Sequence, residues 1–248
     1  MNLFGMNPLR AIRERIGAAF AITAFSLACC VGGLFMAFVF APQQAVQANR
    51  ISGLPVMNAD SVGTAAVGDS ILVTGILHGD SQQLGVSNFI AYGGERWDVE
   101  VPTGVDDSYS EPHGRWASIL PVVPELTLNF DEQPVTIHAA NHVHLGGALH
   151  DTVIPGESTL TADDQGEAIS DGTTKYHGFV DGDLATVFGK KTADGGLDPE
   201  EIFAGDRAAF EESQHQAVSG FLISGIFMIF MTPIVFFGGL LLAIFKRR

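Results

Sequence analysis

The chain has only two cysteines, Cys29 and Cys30, and both fall inside one uncharged run near its start. That excludes a disulfide, or a cysteine-based zinc site, from every polar segment. Basic side chains are scarce through the middle. Between residues 49 and 217 there are seven of them (Arg50, Arg96, Arg115, Lys175, Lys190, Lys191, Arg207) against 27 acidic ones. Phosphate binding needs clustered Lys and Arg, so nucleic acid is excluded as a partner. No serine sits in a G-x-S-x-G elbow, and neither a P-loop nor a dinucleotide fingerprint occurs. We therefore expect neither catalysis nor a resident cofactor.

Charge is also missing from two long stretches, and these organise the rest. Val218 to Phe245 gives 28 residues without a charged side chain, followed by Lys246, Arg247 and Arg248. Ile16 to Ala41 gives another 26, preceded by Arg10, Arg13, Glu14 and Arg15. Roughly 20 apolar residues in a helix cross a bilayer core of about 30 Å, so each run is long enough to span it. Basic flanks around an acidic middle are the pattern of a chain with both termini cytoplasmic and its middle exported. A cleaved signal peptide, with Val46-Gln47-Ala48 as its site, competes for the first run, although signal cores are only about 7–15 residues long. The expected layout is a basic N-terminus (1–15), a first span (16–41), an extracytoplasmic domain (42–216), a second span (217–245) and a basic tail (246–248). The expected location is the inner or plasma membrane, with lipid around both spans.

Within the first run Ala24, Ala28 and Gly32 recur every four residues and put small side chains on one helix face, which predicts a helix-packing surface. The natural partner is the second run, thinned by Gly220, Gly225, Gly238 and Gly239, in which Pro233 should kink or loosen the helix.

The middle reads as all-β, mainly antiparallel and barrel- or sandwich-like, lying between the two transmembrane helices. Residues 41–65 read as a polar juncture with one weak extended patch, Ile51 to Val56. Strand candidates follow at Val67–Leu77, Val86–Tyr92, Trp97–Val101, Ile119–Val123, Leu126–Phe130, Val135–Ala139, His142–Leu145 and Tyr176–Val180, parted by Gly, Pro, Asp and Asn. The Gly68-Asp69 turn and its strand return as Gly182-Asp183, each with a second Gly seven positions on (Gly75, Gly189) and an Asp five further (Asp80, Asp194). Two such copies predict equivalent strands of a sheet that closes on itself. Thr159 to Gly172 reads as a mobile acidic loop, and Pro199 to Gln216 as a short helix leading into the second span.

One segment has ligand character: His138, His142 and His144. On an extended strand His142 and His144 share a face, as two imidazole ligands of one metal would. Solvent-exposed strand histidines are the competing reading. The paired aspartates Asp106-Asp107 and Asp163-Asp164 sit in loops where weak calcium binding competes with mere abundance. Trp97 and Trp116 read as core or barrel-edge anchors.

The arrangement resembles the GIDE domain, also called BAM ("beside a membrane"), of mitochondrial-type membrane-anchored E3 ubiquitin ligases and their prokaryotic relatives. Val67 to Gly79 resembles its opening strand and Phe89-Ile90-Ala91-Tyr92 the next. Val123-Pro124-Glu125-Leu126, Val135-Thr136-Ile137 and His142 to Gly146 resemble its central run. Tyr176 to Asp194, then Glu201 to Ala217, resemble its closing strand pair and pre-membrane helix. The ligases carry a RING after the second span, with about eight Cys or His zinc ligands; here three residues follow. The resemblance thus implies a membrane-adjacent β domain for binding or assembly. A ubiquitin-ligase label would be inherited from the domain and would not mean catalysis, and no site residue carries over. The expected function is a non-enzymatic interaction or assembly module with protein partners or self-association. The alternatives are an accessory subunit of a larger membrane complex, and a metal-dependent sensor or enzyme using the 138–144 segment.

Overall fold

The computed structural model describes residues 8–57, 59–101, 112–131, 133–163 and 165–245, and divides into two compact units. The first comprises residues up to Ser52 together with those from Glu211 onward; the second is Gly53–Phe210.

The first unit is helical. An α-helix, α1 (Pro8–Phe35), passes through a π-helical turn (Met36–Phe40) into α2 (Ala41–Ser52). In the π turn the Ala41 N–H reaches back five residues to the Met36 carbonyl. Pro42 immediately follows; it has no N–H to give, and its ring would crowd the carbonyl four residues back. A widened turn ahead of it relieves that crowding. The helix thus runs to Ser52, and Ile51, expected in an extended patch, is a buried helical residue. The fourth helix, α4 (Arg207–Phe245), continues through Pro233.

The second unit is a β lobe. It opens with a short helix, α3 (Ala59–Thr64), and holds thirteen described strands: β1 (Ser70–His78), β2 (Gln82–Leu84), β3 (Ser87–Glu100), β4 (His113–Val122), β5 (Leu126–Phe130), β6 (Gln133–Ile137), β7 (His144–Gly147), β8 (His150–Ile154), β9 (Leu160–Ala162), β10 (Ala168–Ser170), β11 (Thr174–Val180), β12 (Leu184–Lys191) and β13 (Leu197–Ala204). Strands β12-β1-β5-β6-β13 form a ring that closes because β12 also pairs with β13, and β7 adds to β13 in parallel. The second sheet, β2-β3-β11-β8 with β4 also on β3, curls into a half-barrel. Ile71, Leu77, Leu128, Ile137, Val187, Leu197 and Ile202 fill the closed ring and are at most about 0% exposed. A closed ring has no free edge, which is how an all-β lobe protects its backbone polar groups.

The duplicated Gly-Asp pattern is built into that ring. β1 and β12 pair antiparallel, and each is led in by its own turn with a left-handed glycine, Gly68 (φ 88°) and Gly182 (φ 91°). Gly68 N–H donates to Lys191 O (2.8 Å) and Gly182 N–H to Leu77 O (2.9 Å); Lys191 N–H donates to Asp69 O (3.0 Å) and Leu77 N–H to Asp183 O (2.8 Å). The carboxylates match too: Asp69 accepts from Ala66 N–H at 3.0 Å and Asp183 from Val180 N–H at 2.8 Å. The second glycines also agree, since a Cβ on Gly75 or Gly189 would lie 2.3 Å from a neighbouring strand's carbonyl oxygen. The two copies are related by a local pseudo-twofold.

Four expectations differ from the structure. Val86–Tyr92 and Trp97–Val101 are one strand, β3, because Gly93-Gly94 does not turn the chain; it lets β11 approach, with Lys175 O 2.4 Å from where a Gly94 Cβ would stand. Residues 159–172 hold the β9–β10 hairpin, where Trp97 Nε1 donates to Thr161 (2.9 Å). The helix expected from Pro199 begins at Arg207; Leu197–Ala204 is a barrel strand whose Ile202 and Phe203 are buried. Residues 41–52 are helical and not a juncture. Asp106, Asp107 and Asp164 lie outside the described residues.

Candidate functional site

Residue contacts between α1 and α4 fall in opposite order along the two helices. A Cβ on Gly239 would touch Ile22 at 3.0 Å, one on Gly33 would lie 2.8 Å from Gly225 O, and one on Gly225 would lie 2.7 Å from Ala37 N. Phe40 and Phe221 bring their rings to 6.1 Å. The helices are therefore antiparallel, with residue numbers that sum to about 260 at each contact. In that register Ile16 lies level with Phe245, and Ala41 level with Gly220, so the two uncharged runs begin and end together.

The surface of this pair is inverted relative to a water-soluble one. Ser26, Gly33, Ala37, Ala41 and Gly225 are buried, whereas Phe20, Phe38 and Phe230 are 70–75% exposed. Both helices are long and apolar enough to cross a bilayer. Ala24 and Ala28, expected to pack, face outward, and Gly32 has open space where its Cβ would be. The contacts fall on the neighbouring stripe, Gly33-Ala37-Ala41, which has the same four-residue spacing and meets the backbone of Gly225. Ser26 Oγ is buried there, with no hydrogen-bond partner among the described residues.

In the β lobe the three expected ligand histidines part company. His138 follows β6 and turns its Nε2 to Asp194 (3.1–3.2 Å) and to Thr192 (3.2 Å). The Thr192 hydroxyl, the Gly196 N–H and His138 all bond the Asp194 carboxylate and hold it well below the usual carboxylate range. These residues lock the β12–β13 hairpin. His142 lies in a bend ahead of β7 and His144 is the first residue of that strand; both are exposed, with Val143 between them buried. Among the described residues no group of three or more His, Cys, Asp or Glu is placed to hold a metal ion.

Two further His–Asp pairs, not foreseen, converge on the β11–β12 turn. His78 Nδ1 lies 3.0 Å from Asp181, and His150 Nε2 lies 3.1 Å from Asp183. All are partly exposed, so each pair contributes modestly to stability. Trp97 is 3% exposed and packs edge-on to Trp116 (5.2 Å), with Lys175 Nζ 4.1 Å from the Trp116 ring centre, as expected of anchors. Burial, and then neighbouring Tyr176, raise the Tyr92 hydroxyl above its ordinary value.

At the lobe's base the Arg207 guanidinium donates to Leu54 O (2.6 Å) and Pro55 O (3.1 Å), so the chain enters and leaves the lobe side by side. Phe210, fully buried, packs on Phe203 at 5.4 Å within the lobe. No family model, no curated protein and no solved structure matches this chain.

Proposed function

We propose that this chain is a membrane-anchored, non-enzymatic interaction or assembly module, in which two antiparallel spans hold an acidic β lobe outside the cytoplasmic membrane. The observation that supports it best is the register of the helix pair. Two uncharged runs far apart in the sequence lie level with one another, and their large apolar side chains point outward into what must be an apolar medium. An antiparallel pair of spans would bring both ends of the chain to one side, and the basic residues of 1–15 and 246–248 agree with that side being cytoplasmic. The lobe's adjacent entry and exit suit a body carried on one helical hairpin. The resemblance to the beside-a-membrane domain points the same way.

Topology is tested by replacing Cys29 and Cys30 with Ser and labelling single cysteines with an impermeant maleimide on spheroplasts. Ser170→Cys should label in intact spheroplasts and Asn2→Cys only after lysis; the reverse pattern defeats the proposal. Association is tested by isolating the full chain in mild detergent. A discrete complex above monomer mass on a native gel is expected, and a partner-free monomer at every concentration tried would remove the assembly reading. A complex many times the monomer mass would favour an accessory subunit.

A further inference from the structure

We propose that the π-helical turn Met36–Phe40 is a register device for the helix pair. It stores one residue, and that stored residue decides which face of α1 meets α4. The inference rests on the helix pair alone and holds whichever side of a membrane the lobe occupies.

A π turn closes its hydrogen bonds over five residues where an α turn uses four, so it takes in one residue more. The backbone is ordinary α-helix on both sides, with φ −61° and ψ −45° at Phe35 and φ −59° and ψ −46° at Ala41. Were the turn α-helical, with Ala41 and α2 held in place, each place ahead of it would be taken by the next residue in sequence. Leu34 would stand where Gly33 stands, Leu27 where Ser26 stands, and Thr23 where Ile22 stands. The first exchange is the decisive one. A bare Cβ at Gly33 would already lie 2.8 Å from Gly225 O and 3.0 Å from the Met228 and Ile229 side chains, so a leucine has no room there. As the chain stands, Leu34 and Leu27 are 43% and 65% exposed. The stored residue keeps them outside.

The spacing of the packed stripe is a second, independent sign. Four residues of α-helix overshoot a full turn by about 40°, so Gly33 and Ala41 would face about 80° apart in a plain helix. Both are buried, as is Ala37 between them. A widened turn at residues 36–40 takes up that drift and keeps the three on one side. The device also has a stroke. α1 and α2 are continuous through the turn, so releasing the stored residue would rotate α1 against α2 by about 100° and move it about 1.5 Å along its axis.

The test uses the full chain in detergent, with Cys29 and Cys30 replaced by Ser, and reads disulfide formation between introduced cysteines. A Cβ on Gly239 would lie 3.0–3.3 Å from atoms of the Ile22 side chain, which is disulfide range. Ile22→Cys with Gly239→Cys should therefore crosslink, and Thr23→Cys with Gly239→Cys at least about tenfold more slowly. The critical variant deletes Val39 and carries Pro42→Ala, removing the surplus residue together with the proline that opposes an α turn. We expect its 22–239 crosslink to persist, because the turn gives up its stored residue and the face ahead of it stays in place. A turn with nothing to give up would instead draw α1 along by one position, setting Ala21 against Gly239 and Gly32 against Gly225. Gly32 is as small as Gly33, so sterics leave both outcomes open. A crosslink from Ala21→Cys to Gly239→Cys that replaces the Ile22 one overturns the proposal. Deleting Ile226 from α4, which is α-helical throughout, should abolish the 22–239 crosslink. Its survival would mean that the pair absorbs a deletion anywhere, and that also overturns the proposal. Should the Val39 deletion fail to fold, the chains of full length decide: faster crosslinking from Thr23→Cys than from Ile22→Cys defeats the register device, and the reverse order sustains it.

Discussion

The helix pair and the β lobe use glycine and large apolar residues in opposite ways. In the lobe, Phe89, Phe179 and Ile202 are buried and the surface is acidic, because exclusion from water drives large apolar side chains inward. In the helix pair the interior is Gly33, Ala37 and Gly225 while Phe20, Phe38 and Phe230 face out. On the proposed membrane reading the pair lies among lipid chains as apolar as leucine, so nothing is gained by hiding large side chains there, and close backbone contact decides the packing. The same chain thus carries two cores, each reading correctly only in its own solvent.

Breaking the lobe's core should have the largest effect. Ile202→Ala removes a fully buried side chain from the barrel and should cost about 2–5 kcal/mol. Both tryptophans lie in the lobe, so their fluorescence in denaturant reports this loss without reporting on the helices. Next comes a contrast between adjacent glycines. Gly33→Leu meets the partner helix backbone and should destabilise the helix pair by about 1–3 kcal/mol, whereas Gly32→Leu meets open space and should be nearly silent. Helical ellipticity on heating in detergent distinguishes them, and tryptophan fluorescence should stay unchanged in both. If Gly32→Leu proves the damaging one, the packing face is the Ala24-Ala28-Gly32 stripe after all.

Thr186→Val should cost about 1 kcal/mol, measured by the same fluorescence titration. Its hydroxyl bonds both Thr74 Oγ1 (2.8 Å) and Gly205 O (2.9 Å), and valine leaves those groups without it. The smallest effect belongs to Asp194→Asn. A carboxylate depressed in the folded state contributes above its unfolded value, near 3.9, and loses that contribution only as pH falls through the lower folded value. Wild type should therefore keep the Gly195 and Gly196 amides protected from pH 8 down to about 4, while the variant shows faster exchange throughout. Equal exchange rates would mean that His138 and Thr192 do not act through Asp194.

Much of the fold was legible because its signals are local. The Gly-Asp turns announced β1 and β12, since a left-handed glycine followed by β-branched residues leaves few alternatives. Strand ends and breaks were less legible. Gly93-Gly94 reads as punctuation, and only the closeness of β11 reveals it as a point of contact. Leu197–Ala204 carries Glu200 and Glu201 beside Ile202, a helix-like mixture that barrel closure overrides. His138, His142 and His144 sit within seven positions, yet the bonding of His138 is set by a hairpin more than fifty residues later.

By itself the sequence determined two uncharged runs long enough to cross a bilayer, an acidic β-rich middle and a repeated turn, since each follows from composition or short-range backbone chemistry. Only the tertiary structure decided which of two equally spaced small-residue stripes packs and that the repeated strands pair with each other. Those outcomes depend on partners distant along the chain, and no local pattern encodes the position of a partner.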